Sequence, residues 1–264
     1  MTIIITGSSG GIGFALAEYF GKKGNQVFGL SRKNVESKYF TTIPTDITNN
    51  KEVQNAFEEI LKTTDSINLL INNAGMGMVG AIEDSTQEEI LKLFNLNLVG
   101  SVQMMTAVLP KMREQKSGKI INISSIGSEM GLPFRGFYSA SKSALDKVTE
   151  AIRYEVSPWN IEVCSLHLGD IKTKIAENRV KTKISEPYQK TFEKVYALMN
   201  SHVNEGTEPL EVATYIENLI KEKSWKAHYY FGKFGQKIGI PLKWILPQNF
   251  YENLMRRYNH LDKK

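Results

Sequence analysis

This chain of 264 residues has a single cysteine, a small net charge and few long apolar runs. Its single cysteine, Cys164, cannot form an internal disulfide, which excludes a disulfide-stabilised scaffold and makes a reducing cytoplasm the expected location. The net charge is only +5, from 33 basic and 28 acidic residues, and the basic residues are scattered along the chain. We therefore expect no nucleic-acid partner.

The sequence also has no pattern typical of a membrane span, a leader segment or a domain linker. No stretch reaches the roughly 18 consecutive apolar residues that a membrane-spanning helix needs. Met1 is followed within a few residues by the apolar run at residues 3–5 and then by Gly7, so we expect no signal peptide before the fold. No Pro/Gly/Ser-rich or single-sign charged stretch divides the chain. We expect one domain over residues 1–264.

Short β-branched or apolar runs alternate with longer helical patterns. The runs predict buried strands at residues 2–6, 26–30, 40–45, 67–71, 119–124, 161–168 and 227–231. The helical patterns lie between the runs, for example at residues 14–20, 53–61, 88–112 and 140–154. This alternation predicts an α/β fold in which helices cover both faces of a doubly wound parallel sheet of about seven strands.

Residues 171–206 interrupt that alternation, because a long segment separates one predicted strand from the next helix. The segment carries one apolar helical face, made of Tyr188, Phe192, Val195, Tyr196 and Met199. We predict that residues 171–206 form a mobile lid over the substrate.

The C-terminal tail, residues 233–264, is aromatic and basic. Apolar residues recur in it at helical spacing: Phe250, Leu254, Tyr258 and Leu261. We favour packing on the domain or at a subunit interface over a peripheral membrane contact, which is the less favoured alternative.

The first predicted strand runs into a glycine-rich turn immediately before a helix, with the sequence Thr6-Gly7-Ser8-Ser9-Gly10-Gly11-Ile12-Gly13. Glycines in such a turn let the backbone approach a pyrophosphate, whose charge is met by N–H groups and by the positive end of the helix dipole. A tight turn alone needs no ligand, but its place in the first strand-to-helix connection favours a dinucleotide site. The expected contacts are Gly7, Ser9, Gly11, Ile12 and Gly13.

The second predicted strand ends in a basic sequence, Ser31-Arg32-Lys33. An NAD site usually has an acidic residue there for the ribose hydroxyls, whereas arginine and lysine suit a 2'-phosphate. A solvated basic loop is the alternative. We predict that Ser31, Arg32 and Lys33 contact the cofactor and that NADPH or NADP is preferred over NAD.

Tyr138 and Lys142 lie four residues apart at the start of a predicted helix, which places them on one face. Ser125 follows one predicted strand, and Asn73, Ala74 and Gly75 follow another. Because ligands bind at the carboxyl ends of the strands in open α/β sheets, these groups should converge at one edge.

With these motifs, the chain resembles the short-chain dehydrogenase/reductase family in its compact, single-domain, NADPH-preferring form, over roughly residues 2–231. The resemblance implies a Rossmann-type fold and NAD(P)-dependent chemistry on CH-OH and C=O groups. It also implies a catalytic tetrad of Asn97, Ser125, Tyr138 and Lys142.

Cofactor contacts follow from the same resemblance. Gly7, Gly11 and Gly13 would line the phosphates, Asp46 and Ile47 would flank the adenine, and Asn73, Ala74 and Gly75 would support the cofactor, with Tyr138 and Lys142 also in contact. Arg32 matches the position that confers NADPH preference. Where the family has Pro-Gly after the strand at residues 161–168, this chain has Leu168-Gly169. Gly169, Ile171 and Thr173 remain as expected contacts near the nicotinamide.

In the implied reaction, Tyr138 is the acid for carbonyl reduction and the base for the reverse oxidation. Lys142 would lower the pKa of Tyr138 and hold the nicotinamide ribose, while Ser125 would bind the substrate oxygen. Asn97 would hold a water that links Lys142 to solvent. We expect His167 to be structural or pocket-lining, and we expect no metal.

We therefore predict an NADPH-dependent carbonyl reductase or alcohol dehydrogenase. Residues around the motifs suggest an apolar ketone, aldehyde or secondary alcohol as substrate; they are Met76, Met78, Met130, Leu132, Phe134 and Phe137. A non-catalytic NADPH-binding sensor or scaffold is the alternative. Epimerases and dehydratases of the extended branch have longer chains and a different glycine pattern. We also expect a homo-oligomer, either a dimer or a tetramer.

Overall fold

A computed structural model of the protein describes residues 1–173 and 179–261. In this part of the chain there are nine strands: β1 (Thr2–Thr6), β2 (Gln26–Ser31), β3 (Thr41–Pro44), β4 (Leu69–Asn72), β5 (Met78–Val79), β6 (Gly118–Ser125), β7 (Ile161–Leu168), β8 (Val180–Lys181) and β9 (His228–Phe231). Seven of them form one parallel sheet in the order β3-β2-β1-β4-β6-β7-β9. The predicted doubly wound sheet of about seven strands is confirmed.

The helices are α1 (Gly11–Lys22), α2 (Asn50–Leu61), α3 (Gln87–Phe94), α4 (Ser101–Gln115), α5 (Gly136–Val156), α6 (Glu186–Asn204), α7 (Pro209–Ile220), α8 (Phe234–Ile245) and α9 (Gln248–Tyr258). The single helix predicted over residues 88–112 is α3 and α4 in one continuous stretch, but residues Asn95–Gly100 between them form a π-helix. Such π segments inside α-helices are frequently found at functional sites.

Both faces of the sheet are buried, as the apolar runs predicted. Ile3 and Ile5 of β1 face one core, which contains α1 and α7. Ile4, between them, faces a second core, which contains α2 and α4. Because side chains alternate across a strand, three consecutive isoleucines can fill both layers at once.

The strand order places a crevice where the candidate site is expected. The chain builds outward from β1 to β3 and then returns to place β4 on the other side of β1. The connections that leave the carboxyl ends of β1 and β4 therefore run in opposite directions. This separation is where open α/β sheets bind their ligands.

Residues 171–206, the predicted lid, are only partly described, since residues 174–178 lie outside the described part. β8 pairs with β5 in a separate two-stranded parallel sheet, which the sequence did not predict. On α6, Phe192, Val195 and Met199 are buried, as the predicted apolar face requires. The mobility of the segment stays a prediction.

Leu168, which replaces the family proline, is buried at the end of β7 and pairs in register with Phe231 of β9. The N–H of the following residue, Gly169, donates to the carbonyl oxygen of Phe231 over 2.7 Å. β7 and β9 therefore stay paired up to the start of the Gly169 loop.

One described stretch, Gln87–Gln115, is long and apolar enough to cross a membrane. Half of its most apolar window is buried inside the domain, as in the core helix of a globular protein.

Candidate active site

The glycine-rich turn between β1 and α1 forms an open cradle for an anion. Gly7 and Gly11 adopt left-handed φ angles of +71° and +53°, which L-residues with side chains adopt rarely. A Cβ at Gly13 would lie 2.3 Å from the carbonyl oxygen of Gly7, so backbone and helix can approach this closely only at glycine. A Cβ at Gly10 would meet no protein atom within 4 Å.

The first turn of α1 offers its N–H groups to this cradle, because no side chain caps the helix. Ser8 is fully buried and its Oγ has no hydrogen-bond partner among the described residues, while Ser9 is exposed. Unpaired N–H donors, glycines in contact and a free space above Gly10 fit the diphosphate of a dinucleotide.

Hydrogen bonds join the cradle to the end of β4. Thr6 Oγ1 accepts from the N–H groups of Asn73 and Ala74, both over 2.9 Å. Asn73 Nδ2 donates to the carbonyl oxygen of Thr6 over 2.9 Å. Asn73 and Ala74 thus hold the two sides of the crevice together, which is a supporting position for a cofactor.

The basic sequence after β2 lies at the same edge of the sheet. Ser31 is buried, and its hydroxyl donates to the carbonyl oxygen of Lys33 over 2.7 Å. Arg32 and Lys33 are exposed, and neither forms an ion pair within the described part of the chain. Both cations are therefore available to a phosphate.

Asp46 and Ile47 follow β3 at this edge. The Asp46 carboxylate accepts from the N–H of Thr48 over 2.9 Å and from its hydroxyl over 2.7 Å. Ile47 is buried in the core against Gly100, so it supports the edge mainly from below.

Ser125, Tyr138 and Lys142 meet at the carboxyl end of β6. Ser125 closes this strand, and its Oγ accepts from the N–H of Gly127 over 3.0 Å. The Tyr138 hydroxyl, at the start of α5, is hydrogen-bonded to Ser125. Burial raises the pKa of Tyr138 above its usual value of about 10, and the Ser125 hydrogen bond opposes that shift.

Lys142 lies one helical turn beyond Tyr138 and is buried, with 5% of its surface exposed. Its Nζ donates to the carbonyl oxygen of Ile123 over 2.8 Å. Burial lowers the pKa of Lys142 to about 8, although the nearby Asp146 carboxylate favours the charged form. The pKa of the ammonium therefore lies close to neutral pH.

Asn97 lies in the π-helix and is fully buried. Its Oδ1 accepts from the N–H of Met76 over 2.8 Å, and its Nδ2 donates to Met76 O and to Ser141 Oγ, both over 3.0 Å. Both amide hydrogens are thus used within the protein. A Cβ at Gly75 would lie 3.2 Å from Asn97 Oδ1 and 3.3 Å from Lys142 Nζ, so the two polar atoms flank Gly75.

Two arginines near Tyr138 were not predicted from the sequence. Their positive charges lower the pKa of Tyr138, in addition to the Ser125 hydrogen bond. Lys142 was expected to have this effect, but its ammonium is turned to the Ile123 carbonyl instead. Arg135 occupies the N-cap position of α5 without a capping bond from its side chain, and its buried Nε has no hydrogen-bond partner among the described residues. Arg179 donates to Asn200 Oδ1 over 2.8 Å.

The loop after β7 closes the site from the other side. Gly169 packs against Gln236 of α8, whose Nε2 donates to the Asp170 carboxylate. Ile171 forms an isolated parallel bridge with Thr207. Thr173 reaches the cradle, because a Cβ at Gly11 would lie 3.5 Å from its Cγ2. The predicted nicotinamide loop and phosphate turn are therefore neighbours.

The predicted apolar residues divide between core and crevice. Met78 is buried in β5. Phe134 makes edge-to-face ring contacts with Phe192 at 5.4 Å and with Tyr188 at 6.2 Å. These contacts join Phe134, the residue before Arg135, to the apolar face of α6.

The side chain of His167 lies next to the backbone of Ser125. His167 is fully buried, and its Nδ1 lies 3.2 Å from the carbonyl oxygen of Ser125. Ser128 Oγ donates to that same carbonyl oxygen over 2.7 Å. This arrangement supports the expectation of a structural role for His167.

Comparisons with known proteins identify the family of this chain. The family model for short chain dehydrogenases matches residues 1–184. A 3-ketodihydrosphingosine reductase of Bacteroides thetaiotaomicron is 37% identical over 258 residues, which cover 96% of each chain. An NADPH-dependent 3-dehydrocapnine reductase of Ornithobacterium rhinotracheale is 33% identical over 239 residues, covering 85% of this chain and 82% of the relative.

Among solved structures, a short-chain dehydrogenase from Streptomyces avermitilis has a TM-score of 0.83 with this chain at 24% sequence identity. The match covers 98% of this chain and 97% of the other. At this identity the likeness shows the fold alone.

Proposed function

Because the chain belongs to the short-chain dehydrogenase/reductase family, as its motifs predicted, we propose that it is an NADPH-dependent reductase of a ketone on a long-chain lipid. The family supplies the coarser statement, an oxidoreductase acting on CH-OH or C=O groups with a nicotinamide cofactor. The observation that carries the proposal is the meeting of Ser125, Tyr138 and Lys142 at the carboxyl end of β6.

The residues around the crevice supply binding and proton transfer. The glycine cradle and Thr173 would hold the diphosphate and nicotinamide ends of NADPH, and Arg32 would hold its 2'-phosphate. When bound, the cofactor supplies the hydride for the carbonyl carbon. The chain's own contribution is to bind the carbonyl oxygen, to polarise it and to deliver a proton to it.

Ser125 and Tyr138 would perform that step together. Their hydroxyls are already hydrogen-bonded, so a carbonyl oxygen can accept from both by a small displacement. Tyr138 would transfer its proton to that oxygen as negative charge develops there. The positive charges of Arg135 and Arg179 stabilise the tyrosinate that results.

Lys142 would replace the lost proton. Its pKa of about 8 lies below that of Tyr138, which burial raises, so transfer of a proton from the ammonium to the tyrosinate is favourable. Below pH 8 the ammonium is the major form and can donate. Asn97 would hold the water that returns a proton to Lys142; the second lone pair of its Oδ1, which faces Gly75, is the acceptor that remains.

The choice of a long-chain ketone comes from two observations. Phe134, four residues before Tyr138 in the sequence, packs in an aromatic cluster with Phe192 and Tyr196, and we propose that this cluster binds an alkyl chain. Two relatives that match most of the chain are named for 3-ketodihydrosphingosine and 3-dehydrocapnine, and one of them is NADPH-dependent. We therefore name 3-ketodihydrosphingosine as the first substrate to test.

The test follows NADPH absorbance with purified protein, comparing 3-ketodihydrosphingosine with a short methyl ketone. We expect turnover of the long-chain ketone and at least about tenfold lower kcat/KM for the short one, since each buried methylene contributes about 0.8 kcal/mol. In Tyr138→Phe, turnover should fall by about 100-fold or more while NADPH binding is kept. No turnover of either ketone, or turnover by Tyr138→Phe within a few-fold of the parent, would contradict the proposal.

A further inference from the structure

Helix α8 meets the domain with its polar side. Gln236 bonds to Asp170, and Lys243 Nζ donates to the carbonyl oxygen of Glu129. Three of its large apolar side chains point outward: Phe234, Trp244 and Ile245 are 76%, 77% and 76% exposed, whereas Ile240 and Leu242 are half-buried. A helix that packs on a core normally buries its largest apolar residues, so hydrophobic burial in this domain accounts for only part of the apolar surface of α8.

The exposed apolar side chains are concentrated in these last two helices. Of the fourteen large hydrophobic residues that are exposed in the described chain, seven lie in residues 233–261: Phe234, Ile238, Trp244, Ile245, Phe250, Leu254 and Tyr258. Single exposed hydrophobic residues are normal, but a group of this kind marks an interaction surface.

These side chains form a continuous stripe along α8. At 100° per residue, Phe234, Ile238 and Ile245 lie within about 40° of one another around the helix. Trp244 lies beside them, and Pro241 is exposed between them. In α9, Phe250 and Leu254 are also exposed, one helical turn apart. We call Phe234, Ile238, Pro241, Trp244 and Ile245 of α8, together with Phe250 and Leu254 of α9, the outward face.

The charge around the outward face is mainly positive. Residues 233–261 contain five basic side chains, namely Lys233, Lys237, Lys243, Arg256 and Arg257, and one acidic side chain, Glu252. Apolar and aromatic residues combined with lysine and arginine are the composition of helices that lie in the interface of an anionic membrane.

We propose that the outward face docks the protein on the surface of an anionic phospholipid bilayer, with the apolar stripe of α8 at the level of the headgroups. A second copy of this chain fits less well. Two such faces packed together would bring ten basic side chains against two acidic ones, at five and one per copy. A bilayer of anionic lipid complements both the apolar stripe and the charge.

Docking in this orientation would place the bilayer beside the candidate active site. Gln236 of α8 contacts Asp170 in the loop after β7, and Tyr251 Oη of α9 lies 3.5 Å from Sδ of Met130, five residues after Ser125 in the sequence. A lipid ketone could then pass from the bilayer to Tyr138 across a short distance. Docking itself does not depend on the proposed function, because the surface is complete without a substrate.

The experiment is sedimentation of the full chain with vesicles, without cofactor or substrate. Vesicles of phosphatidylcholine alone are compared with vesicles that also contain phosphatidylglycerol. We expect at least tenfold stronger binding to the anionic vesicles, weakened by salt, and a blue shift of tryptophan fluorescence that Trp244→Phe greatly reduces.

The matched variants are Trp244→Gln with Ile245→Gln on the outward face and Tyr154→Gln on α5. Tyr154 is 81% exposed, so its replacement removes a comparable exposed ring elsewhere. We expect the double variant to lose at least tenfold in vesicle affinity, with unchanged thermal stability, and Tyr154→Gln to bind like the parent.

Three results would overturn the proposal: no binding to anionic vesicles, equal binding to neutral vesicles, or unchanged binding by the double variant. If light scattering instead shows an oligomer that the double variant dissociates, the outward face is a contact between copies and the bilayer proposal is wrong. Turnover of a soluble ketone by the double variant separates these outcomes from failure of the proposed reaction.

Discussion

Nε2 of His167 lies 2.9 Å from Nδ1 of His228, and the other ring nitrogen of His228 lies 3.0 Å from the Glu150 carboxylate. His167 and His228 thus connect the backbone of Ser125, inside the candidate site, with the protein surface. His167 is fully buried while His228 and Glu150 are partly exposed. His167 also faces two more carboxylates, Asp146 at 3.8 Å and Glu129 at 3.7 Å.

Stability should depend on the protonation of His167. Burial lowers its pKa from about 6.5 and the second histidine acts in the same direction, although Asp146, Glu129 and the Ser125 carbonyl oppose the shift. The unfolded chain then binds a proton at higher pH than the folded one. The stabilising contribution is full above about pH 6.5 and is lost as the pH falls towards the folded pKa, by up to about 1.4 kcal/mol per pH unit.

We therefore predict that urea denaturation gives a lower free energy of unfolding at pH 5.5 than at pH 7.5, and that His167→Gln reduces this difference. His260→Gln, at an exposed position, is the control and should keep the difference of the parent. An equal loss of stability in the parent and in His167→Gln would show that His167 is not the titrating group.

Much of the sheet could be read from the sequence because its signal is local. Three consecutive isoleucines at β1 predict a strand buried on both faces, and the structure places Ile4 opposite its neighbours. The two-residue strands β5 and β8 gave no such signal. Their pairing joins Met78 to Val180, about a hundred residues apart in sequence, and depends on tertiary packing.

The residues of the candidate site also fall into two groups, those that the local sequence predicts and those whose position depends on tertiary packing. Gly7, Ser125, Tyr138 and Lys142 could be placed together because each follows a strand or starts a helix at one edge of the sheet. Arg179 could not, because its place near Tyr138 depends on the pairing of β5 with β8. The bond of His167 to His228 likewise requires β7 and β9 to be neighbours, which only the strand order reveals.

Lys142 should be a residue that reduces stability for the sake of function. A folded pKa of about 8 against 10.5 for an ordinary lysine corresponds to about 3 kcal/mol. Above pH 10.5 the lysine is neutral in both the folded and the unfolded chain, and the destabilisation is absent. As the pH falls from 10.5 to about 8, the folded state loses this free energy relative to the unfolded chain. Loss of the hydrogen bond to Ile123 in Lys142→Met would offset about 1 kcal/mol of the gain.

We predict that Lys142→Met is more stable than the parent at pH 7 by about 1 to 2 kcal/mol, measured by urea denaturation, and at least about 100-fold less active. Raising the pH to 9.5 should narrow the stability gap. Lys147→Met, exposed on the same helix, should leave both properties near those of the parent. A Lys142→Met protein that is less stable than the parent at pH 7 would refute the cost assigned to the buried ammonium.

Substitutions at two glycines of the cradle should distinguish an effect on folding from an effect on cofactor binding alone. A Cβ at Gly13 would meet the Gly7 carbonyl at 2.3 Å, so Gly13→Ala must displace backbone. A Cβ at Gly10 meets no protein atom within 4 Å, and the φ of −179° at Gly10 is open to any residue. We predict that Gly13→Ala lowers both the melting temperature and the NADPH affinity.

Gly10→Ala should leave the melting temperature unchanged and still weaken NADPH binding, because its methyl group enters the space where the diphosphate is expected. Calorimetry of both variants, with and without cofactor, makes the comparison. Parent-like NADPH affinity in Gly10→Ala would mean that the diphosphate does not lie above Gly10.

Cofactor preference should depend on Arg32. The residue is exposed after β2, and Ser31, which precedes it, is fixed by the bond of its hydroxyl to Lys33 O. A charge-assisted bond contributes about 1.5 to 3 kcal/mol, and each 1.4 kcal/mol is a factor of about ten in the dissociation constant. We therefore predict that NADPH binds at least about tenfold more tightly than NADH.

Arg32→Asp should reverse that preference, since its carboxylate repels a 2'-phosphate and can accept hydrogen bonds from the ribose hydroxyls of NADH. Arg113→Asp makes the same change of charge on the exposed surface of α4 and should leave the ratio unaltered. Titration of the intrinsic fluorescence of the parent and the two variants with each cofactor gives the six dissociation constants that are needed. If the unmutated protein binds NADPH and NADH equally, the basic sequence after β2 is a solvated loop and the cofactor preference is set elsewhere.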